Sequence, residues 1–331
     1  MQASNTAPNG PVRTECLQPD SLLPLVIEPA GPGVDLNGWA GANREFIQSS
    51  LVRHGALLFR GFNLARVSDF ESFVAASANE VMEYRERSSP RHAVSDRVYT
   101  STDYPADAGI FPHNEHSYSR TFPLRLYFFC ETPARTGGAT PIADCRGILN
   151  RISPQTVARF RERRWMYVRN FGDGFGLPWP TVFQTTDRGA VEEYCRRNLI
   201  EVEWRSGNRL RTRQVRPVIA RHPHTGEEVW FNHLTFFHVS TLEAPVRDAL
   251  LSAFGEEDLP NNTYYGDGGA IEPEVMDELR RAYAQELISF AWRRGDVIII
   301  DNLLTAHSRT PFAGPRRILF AMADPYTRTD I

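Results

Sequence analysis

Ile288-Ser289-Phe290-Ala291-Trp292, Val297-Ile298-Ile299-Ile300 and Arg317-Ile318-Leu319-Phe320-Ala321-Met322-Ala323 are three strand candidates in succession near the end of a 331-residue chain. Each is a short apolar run rich in β-branched or aromatic residues. Outward from them, Leu124 to Cys130 is a dense apolar run bounded by Pro123 and Pro133, and Ala56 to Phe59 and Leu23 to Glu28 read the same way. Helical spacing interrupts the strands: Arg44 to His54, stopped by Gly55; a helix carrying Phe70, Phe73 and Val74, capped by Ser68 or Asp69; a helix opened by Ser153-Pro154; Glu243 to Phe254; and Pro273 to Leu287. Strands and helices do not alternate as a βαβ series would. The expected fold is mainly β with flanking helices (α+β), on an antiparallel sandwich or jelly-roll core. Residues 1–20, rich in Ser, Asn, Pro and Gly, read as a flexible tail, and residues 21–331 as a single domain.

Composition narrows the function. The formal net charge of −3 lacks the basic excess of a nucleic-acid binder. No apolar run reaches the roughly 20 residues of a membrane helix, and no secretory signal opens the chain. All 37 basic residues are Arg, which excludes Schiff-base enzymes, ordinary P-loops and kinases. Cys16, Cys130, Cys145 and Cys195 form no CxxC pair and read as free thiols of a cytoplasmic protein.

His113 and Glu115 stand two apart in Phe111-Pro112-His113-Asn114-Glu115. On a strand, positions i and i+2 share a face, so an imidazole and a carboxylate would aim at one point. His307, just past the Val297 strand, is the best third donor. Two His and one carboxylate on one side of a metal leave three positions open, which suits non-haem Fe(II) working with O2 and a bound cosubstrate. The same donors could hold the zinc of a hydrolase, and a jelly roll can also be a binding module without catalysis.

The stretch Gly55 to Phe62 (Gly-Ala-Leu-Leu-Phe-Arg-Gly-Phe), His113-Asn114-Glu115, Gly137-Gly138-Ala139-Thr140-Pro141, and Gly295-Asp296 through Arg317, in that order, resemble the taurine-dioxygenase-like (TauD/TfdA) Fe(II)/2-oxoglutarate oxygenases, closest to their natural-product branch that includes the syringomycin-pathway aspartyl hydroxylase. The resemblance implies a double-stranded β-helix core, with helical and loop insertions between the ligand segments. It implies Fe(II) held by His113, Glu115 and His307, with Glu where many relatives have Asp. It gives Thr140 and Arg317 to the distal carboxylate of 2-oxoglutarate. Arg316 adjoins Arg317, and strand alternation lets only one of the two point inward. A planar guanidinium grips a carboxylate through paired hydrogen bonds, and this pair would be idle in a zinc hydrolase.

The implied activity is hydroxylation of an aliphatic carbon of an amino acid or amino-acid-derived group, free or tethered to a carrier protein. Glu115 speaks against halogenation, whereas desaturation or epoxidation would use the same residues. The family's substrate-anion Arg, four positions past Arg317, is Ala321 here, which leans toward a substrate without a free carboxylate at that point. Among the remaining residues, His222 and His224 read as an exposed turn. Asn232 and His233 read as core or substrate-facing, and Asn114 as turned away from the metal. Gly172 to Trp179 reads either as a lid with an aromatic tip or as an ordinary connector. The Arg pairs at 163/164, 196/197, 280/281 and 293/294 read as solvated edges or, less simply, as a carrier-docking patch.

Overall fold

The computed structural model describes residues 10–83, 91–95, 97–172 and 176–331. A strand that is apolar on both faces must be covered on both. Val297–Asp301 is fully buried and lies between Ala56–Phe59 and Thr121–Thr132 in an eight-stranded sheet. The sheet continues through Ser21–Pro29 to Val12–Gln18 on one side. On the other it continues through Arg317–Thr327 to Val81–Met82, with Tyr99–Thr100 also paired to Arg317–Thr327. Its pairings are antiparallel except for Ser21–Pro29 beside Ala56–Phe59, where the helices Leu36–Ala42 and Arg44–His54 make the crossover a parallel pair requires.

The two faces of this sheet have different covers. Leu57, Phe59, Tyr127, Phe129 and Ile299 meet Ile47 and Leu51 of Arg44–His54 and Phe70, Phe73 and Val74 of Val67–Ser77. The opposite side chains, Leu58, Leu126, Phe128, Ile298, Ile300 and Phe320, pack against Ile142. Ile142 belongs to a four-stranded sheet ordered Leu287–Ile288, Ile142–Asp144, Thr305–Arg309, Ile110–His113. This smaller sheet carries the predicted ligand segments and pairs His113 with His307. The insertion between them forms a third sheet (Glu201–Arg205, Arg209–Arg216, Trp165–Phe171, Asn261–Tyr265), around which Cys145–Arg151, Pro154–Arg163 and Pro273–Glu286 share one core cluster with Trp165, Tyr167 and Trp230. No helix among the described residues is long and apolar enough to cross a membrane. The architecture is α+β.

Several expectations are corrected. Within the expected tail, Val12–Gln18 is a strand paired to Ser21–Pro29, because its alternating burial completes the sheet edge; residues 1–9 lie outside the described residues. Ser68 and Asp69 are inside their helix, and Asp69 caps it from the first turn by accepting from the Arg66 N–H at 3.0 Å. Of the Ile288–Trp292 run only Ile288 is strand, as the end of Leu287–Ile288; Phe290 and Trp292 are buried from a loop. Trp179 is no lid tip: it is buried, with its indole N–H on the Asn208 carbonyl at 3.1 Å, and Asp173 to Phe175 lie outside the described residues.

Candidate active site

His113 is the last residue of Ile110–His113, and His307 sits opposite it on Thr305–Arg309. The chain leaves the strand after His113, so Glu115 lies in a turn and not two places along a strand. The common aim that alternation predicted is produced by another device. Asn302, fully buried, accepts from the Glu115 N–H through Oδ1 at 2.8 Å and donates from Nδ2 to the Glu115 carbonyl at 2.8 Å. One side-chain amide thus replaces the missing ladder partner. Asn114 points away as expected, donating to the Asn302 carbonyl at 2.7 Å.

Together these constraints bring ligand atoms of His113, Glu115 and His307 within 4.8 Å of one another, with His307 Nε2 at 4.0 Å from Glu115 Oε2. The donor chemistry fits a divalent metal. His113 Nδ1 lies 2.9 Å from the Phe111 carbonyl, which can only accept, so the proton is on Nδ1 and Nε2 keeps its lone pair. Burial lowers the pKa of His113 and pushes His307 well below the usual histidine value, which keeps both rings neutral. Burial, the largest single influence, would raise Glu115, but the positive groups around it, the Arg91 guanidinium first and the neighbouring imidazoles after it, together hold the carboxyl well below its ordinary range. Neutral imidazoles and an ionised carboxylate are the protonation states a metal requires.

Aromatic rings close the surroundings. Phe236, on the short helix Leu234–Phe237, lies 4.7 Å from the His113 ring, and Phe128 lies 5.1 Å from His307. His233 is buried 5.2 Å from His113, with Nδ1 2.6 Å from Ser117 Oγ. Asn232 is structural, bonded to the Val218 carbonyl and the Leu234 N–H. His222 sits in the predicted turn yet is buried, Nε2 at 3.1 Å from Asp301 Oδ2, because Asp301 anchors the turn into the His307 strand.

Thr140 follows Gly137 and Gly138, both at positive φ. A Cβ on Gly137 would stand 2.1 Å from the Pro311 carbonyl oxygen, and one on Gly138 would meet the Arg316 stem at 3.0 Å. Only glycine permits this approach. Arg316 crosses it, donating from Nε to the Gly138 carbonyl at 3.0 Å and bringing Nη2 to 3.5 Å from Thr140 Oγ1. Arg317 turns the other way, exposed, with Nη1 2.5 Å from Glu131 Oε2. Of the two neighbours, Arg316 and not Arg317 turns toward Thr140. The two side chains diverge as strand alternation requires; the preference for Arg317 came from the resemblance. Burial lowers the Arg316 pKa to about 10, and no carboxylate lies within ion-pair distance of it among the described residues.

Three residues at this site carried no assigned role in the sequence. Arg91 pairs Glu115 Oε2 at 2.8 Å, both side chains buried, and lies 4.1 Å over the Phe320 ring. Asn302 was visible only as part of the segment before His307, and Trp292 only as an apolar residue. Two quoted motifs prove to be structural: Arg60 and Asp296 form a buried two-point ion pair at 2.7 and 3.1 Å, and Arg60 also holds the Ala291 carbonyl.

Facing sheets, a buried His-Glu-His cluster and a half-buried Arg316 beside Thr140 are the features of a non-haem iron oxygenase. Residues 19–323 match the Taurine catabolism dioxygenase TauD, TfdA family, and the chain belongs to that family. It is 43% identical over 279 residues to the dapdiamide synthesis protein DdaC of Enterobacter agglomerans, covering 84% of this chain and 85% of that protein. It is 30% identical over 293 residues to the clavaminate synthase-like protein At3g21360 of Arabidopsis thaliana, covering 84% of each. The fold resembles PvcB of Pseudomonas aeruginosa, with a TM-score of 0.58 at 18% identity over 97% of this chain and 94% of that one. PvcB is described as an Fe, alpha-ketoglutarate dependent oxygenase from an isonitrile synthetic pathway. The protein is a dioxygenase that uses Fe(II), 2-oxoglutarate and O2.

Proposed function

We propose that His113, Glu115 and His307 hold the Fe(II), that Arg316 with Thr140 takes the distal carboxylate of 2-oxoglutarate, and that the enzyme hydroxylates an aliphatic carbon of an amino-acid-derived acyl group delivered on a carrier protein in a natural-product pathway. The facing large and small sheets are read as the double-stranded β-helix of the family. The observation that carries the reading is an asymmetry of charge. The metal cluster contains its own anion, whereas Arg316, half-buried beside a hydroxyl, faces no carboxylate among the described residues.

The bound metal supplies O2 activation and C–H oxidation. The chain's residues do the rest. Asn302 fixes the Glu115 backbone, and Phe111 fixes the His113 tautomer. Arg316 orients the cosubstrate through a guanidinium that stays charged at neutral pH. Phe128 and Phe236 exclude water around the ligand rings.

Two further observations favour a tethered acyl group. With the register moved to Arg316, the position four residues on is Phe320, an apolar ring. The guanidinium above it is that of Arg91, which Glu115 engages. A free amino acid would need a cation for its carboxylate there. The natural-product setting is supported by the printed descriptions of DdaC and PvcB. The test is turnover of an amino-acid panel, each free and carrier-loaded, followed by mass spectrometry. A mass gain of one oxygen on loaded substrates supports the reading, and equal turnover of the free amino acids contradicts the tethering.

A further inference from the structure

Thr140 is buried, and both groups that reach its hydroxyl can only donate. The Trp292 indole N–H points at Thr140 Oγ1 from 3.0 Å, and Arg316 Nη2 stands 3.5 Å from the same oxygen. Indole and guanidinium have no lone pair to offer a hydroxyl. The Thr140 oxygen is therefore an acceptor on both contacts, and its own proton must leave in a third direction. Among the described residues no acceptor receives it. A buried hydroxyl with its donor unmet is costly, and the anion best able to meet it is the one that the charge of Arg316 already requires.

Trp292 is held in place for this task by groups remote from the pocket. Its loop is fastened by the Arg60–Asp296 ion pair, by the Arg60 bond to the neighbouring Ala291 carbonyl, and by the Arg293 N–H on Asp296 Oδ2 at 2.8 Å. Phe290 braces the ring edge-on at 5.0 Å. The indole is fixed before any ligand arrives.

We propose that Trp292 is a positioning residue for the cosubstrate: by donating to Thr140 Oγ1 it turns and polarises the hydroxyl so that Thr140 donates to the distal carboxylate of 2-oxoglutarate beside Arg316. This rests on the reading that Thr140 and Arg316 bind that carboxylate. Donation into an oxygen strengthens the bond its own proton makes. Without the indole, the hydroxyl is free to rotate, and part of its contribution to affinity is lost.

The test is a double-mutant cycle read by anaerobic calorimetry, with 2-oxoglutarate titrated into the Fe(II)-loaded protein. Thr140→Val should weaken binding roughly tenfold and Trp292→Phe roughly fivefold, the range of a single lost hydrogen bond near a charge. The double variant should be no weaker than Thr140→Val alone, since the indole acts only through the hydroxyl. Thr140→Ser, which keeps the hydroxyl, should keep the Trp292 effect. Fe(II) affinity should not change in any variant. If Trp292→Phe fails to fold, Trp292→Leu lacks the same N–H and serves in its place. Should Thr140→Val weaken binding while the Trp292 change does nothing, or the two losses simply add, the positioning role is overturned and the cosubstrate reading survives. If Thr140→Val leaves 2-oxoglutarate affinity unchanged, the reading beneath the proposal fails first.

Discussion

The two ends of the active site solve opposite electrostatic problems. At the metal end, Glu115 is negative, buried and already balanced by Arg91 at 2.8 Å. At the proposed cosubstrate end, Arg316 is positive and half-buried, and among the described residues its hydrogen bonds go to a carbonyl and a hydroxyl. The first end is complete as protein, its carboxylate already paired and its three donors already gathered. The second end is incomplete without an anion. Stability is therefore invested at the metal end and binding specificity at the other, and each can be broken separately.

The largest effect is expected at the metal ligands. His113→Ala or His307→Ala should abolish Fe(II) binding in equilibrium dialysis, since a site of three protein donors cannot lose one and keep a metal in competition with water. Next, Arg316→Ala should weaken 2-oxoglutarate about a hundredfold, through loss of a buried charge partner on the order of 3 kcal/mol, whereas Arg317→Ala should change it less than twofold. Equal losses would dissolve the difference between the two neighbours. Glu115→Ala should cost the metal-free protein about 3 kcal/mol in urea unfolding, because Arg91 stays buried without its carboxylate.

The smallest and broadest effect is on pH. Burial lowers the folded pKa of His113, His233 and His307, and lowers His238 to about 4. The unfolded chain then binds more protons than the folded one below its own value of about 6.5. Stability of the metal-free protein should be full above pH 6.5 and fall as the pH drops from there toward 4, read as a declining melting temperature. Glu115, held low, should keep its contribution over that window.

The sequence was most informative where burial is uniform. The Val297 run, the Leu124 run and the Gly55 to Phe62 stretch carry their placement in their apolar content, and Ser153-Pro154 opens its helix as read. It was least informative where geometry departs from regular period. Glu115 shares a target with His113 through the Asn302 side chain and not through strand alternation, so the two were brought together in the sequence by a local structure that the molecule does not have. The choice between Arg316 and Arg317 hinges on which of two identical neighbours turns toward Thr140, which leaves no mark in residue type. Arg91 comes to Glu115 from a segment with no periodic signal, and Trp292 reads as a strand residue although it works from a loop.

The contrast between the ends is tested most directly by comparing two keto acids on the Fe(II)-loaded protein without oxygen. 2-Oxoglutarate and 2-oxobutyrate share the chelating end and differ in the distal carboxylate. The visible charge-transfer band should form at roughly hundredfold lower concentration with 2-oxoglutarate, and Arg316→Ala should erase that advantage while the band itself remains. Equal affinity for the two acids in the unaltered protein, or an advantage that survives Arg316→Ala, would contradict the assignment of the second end.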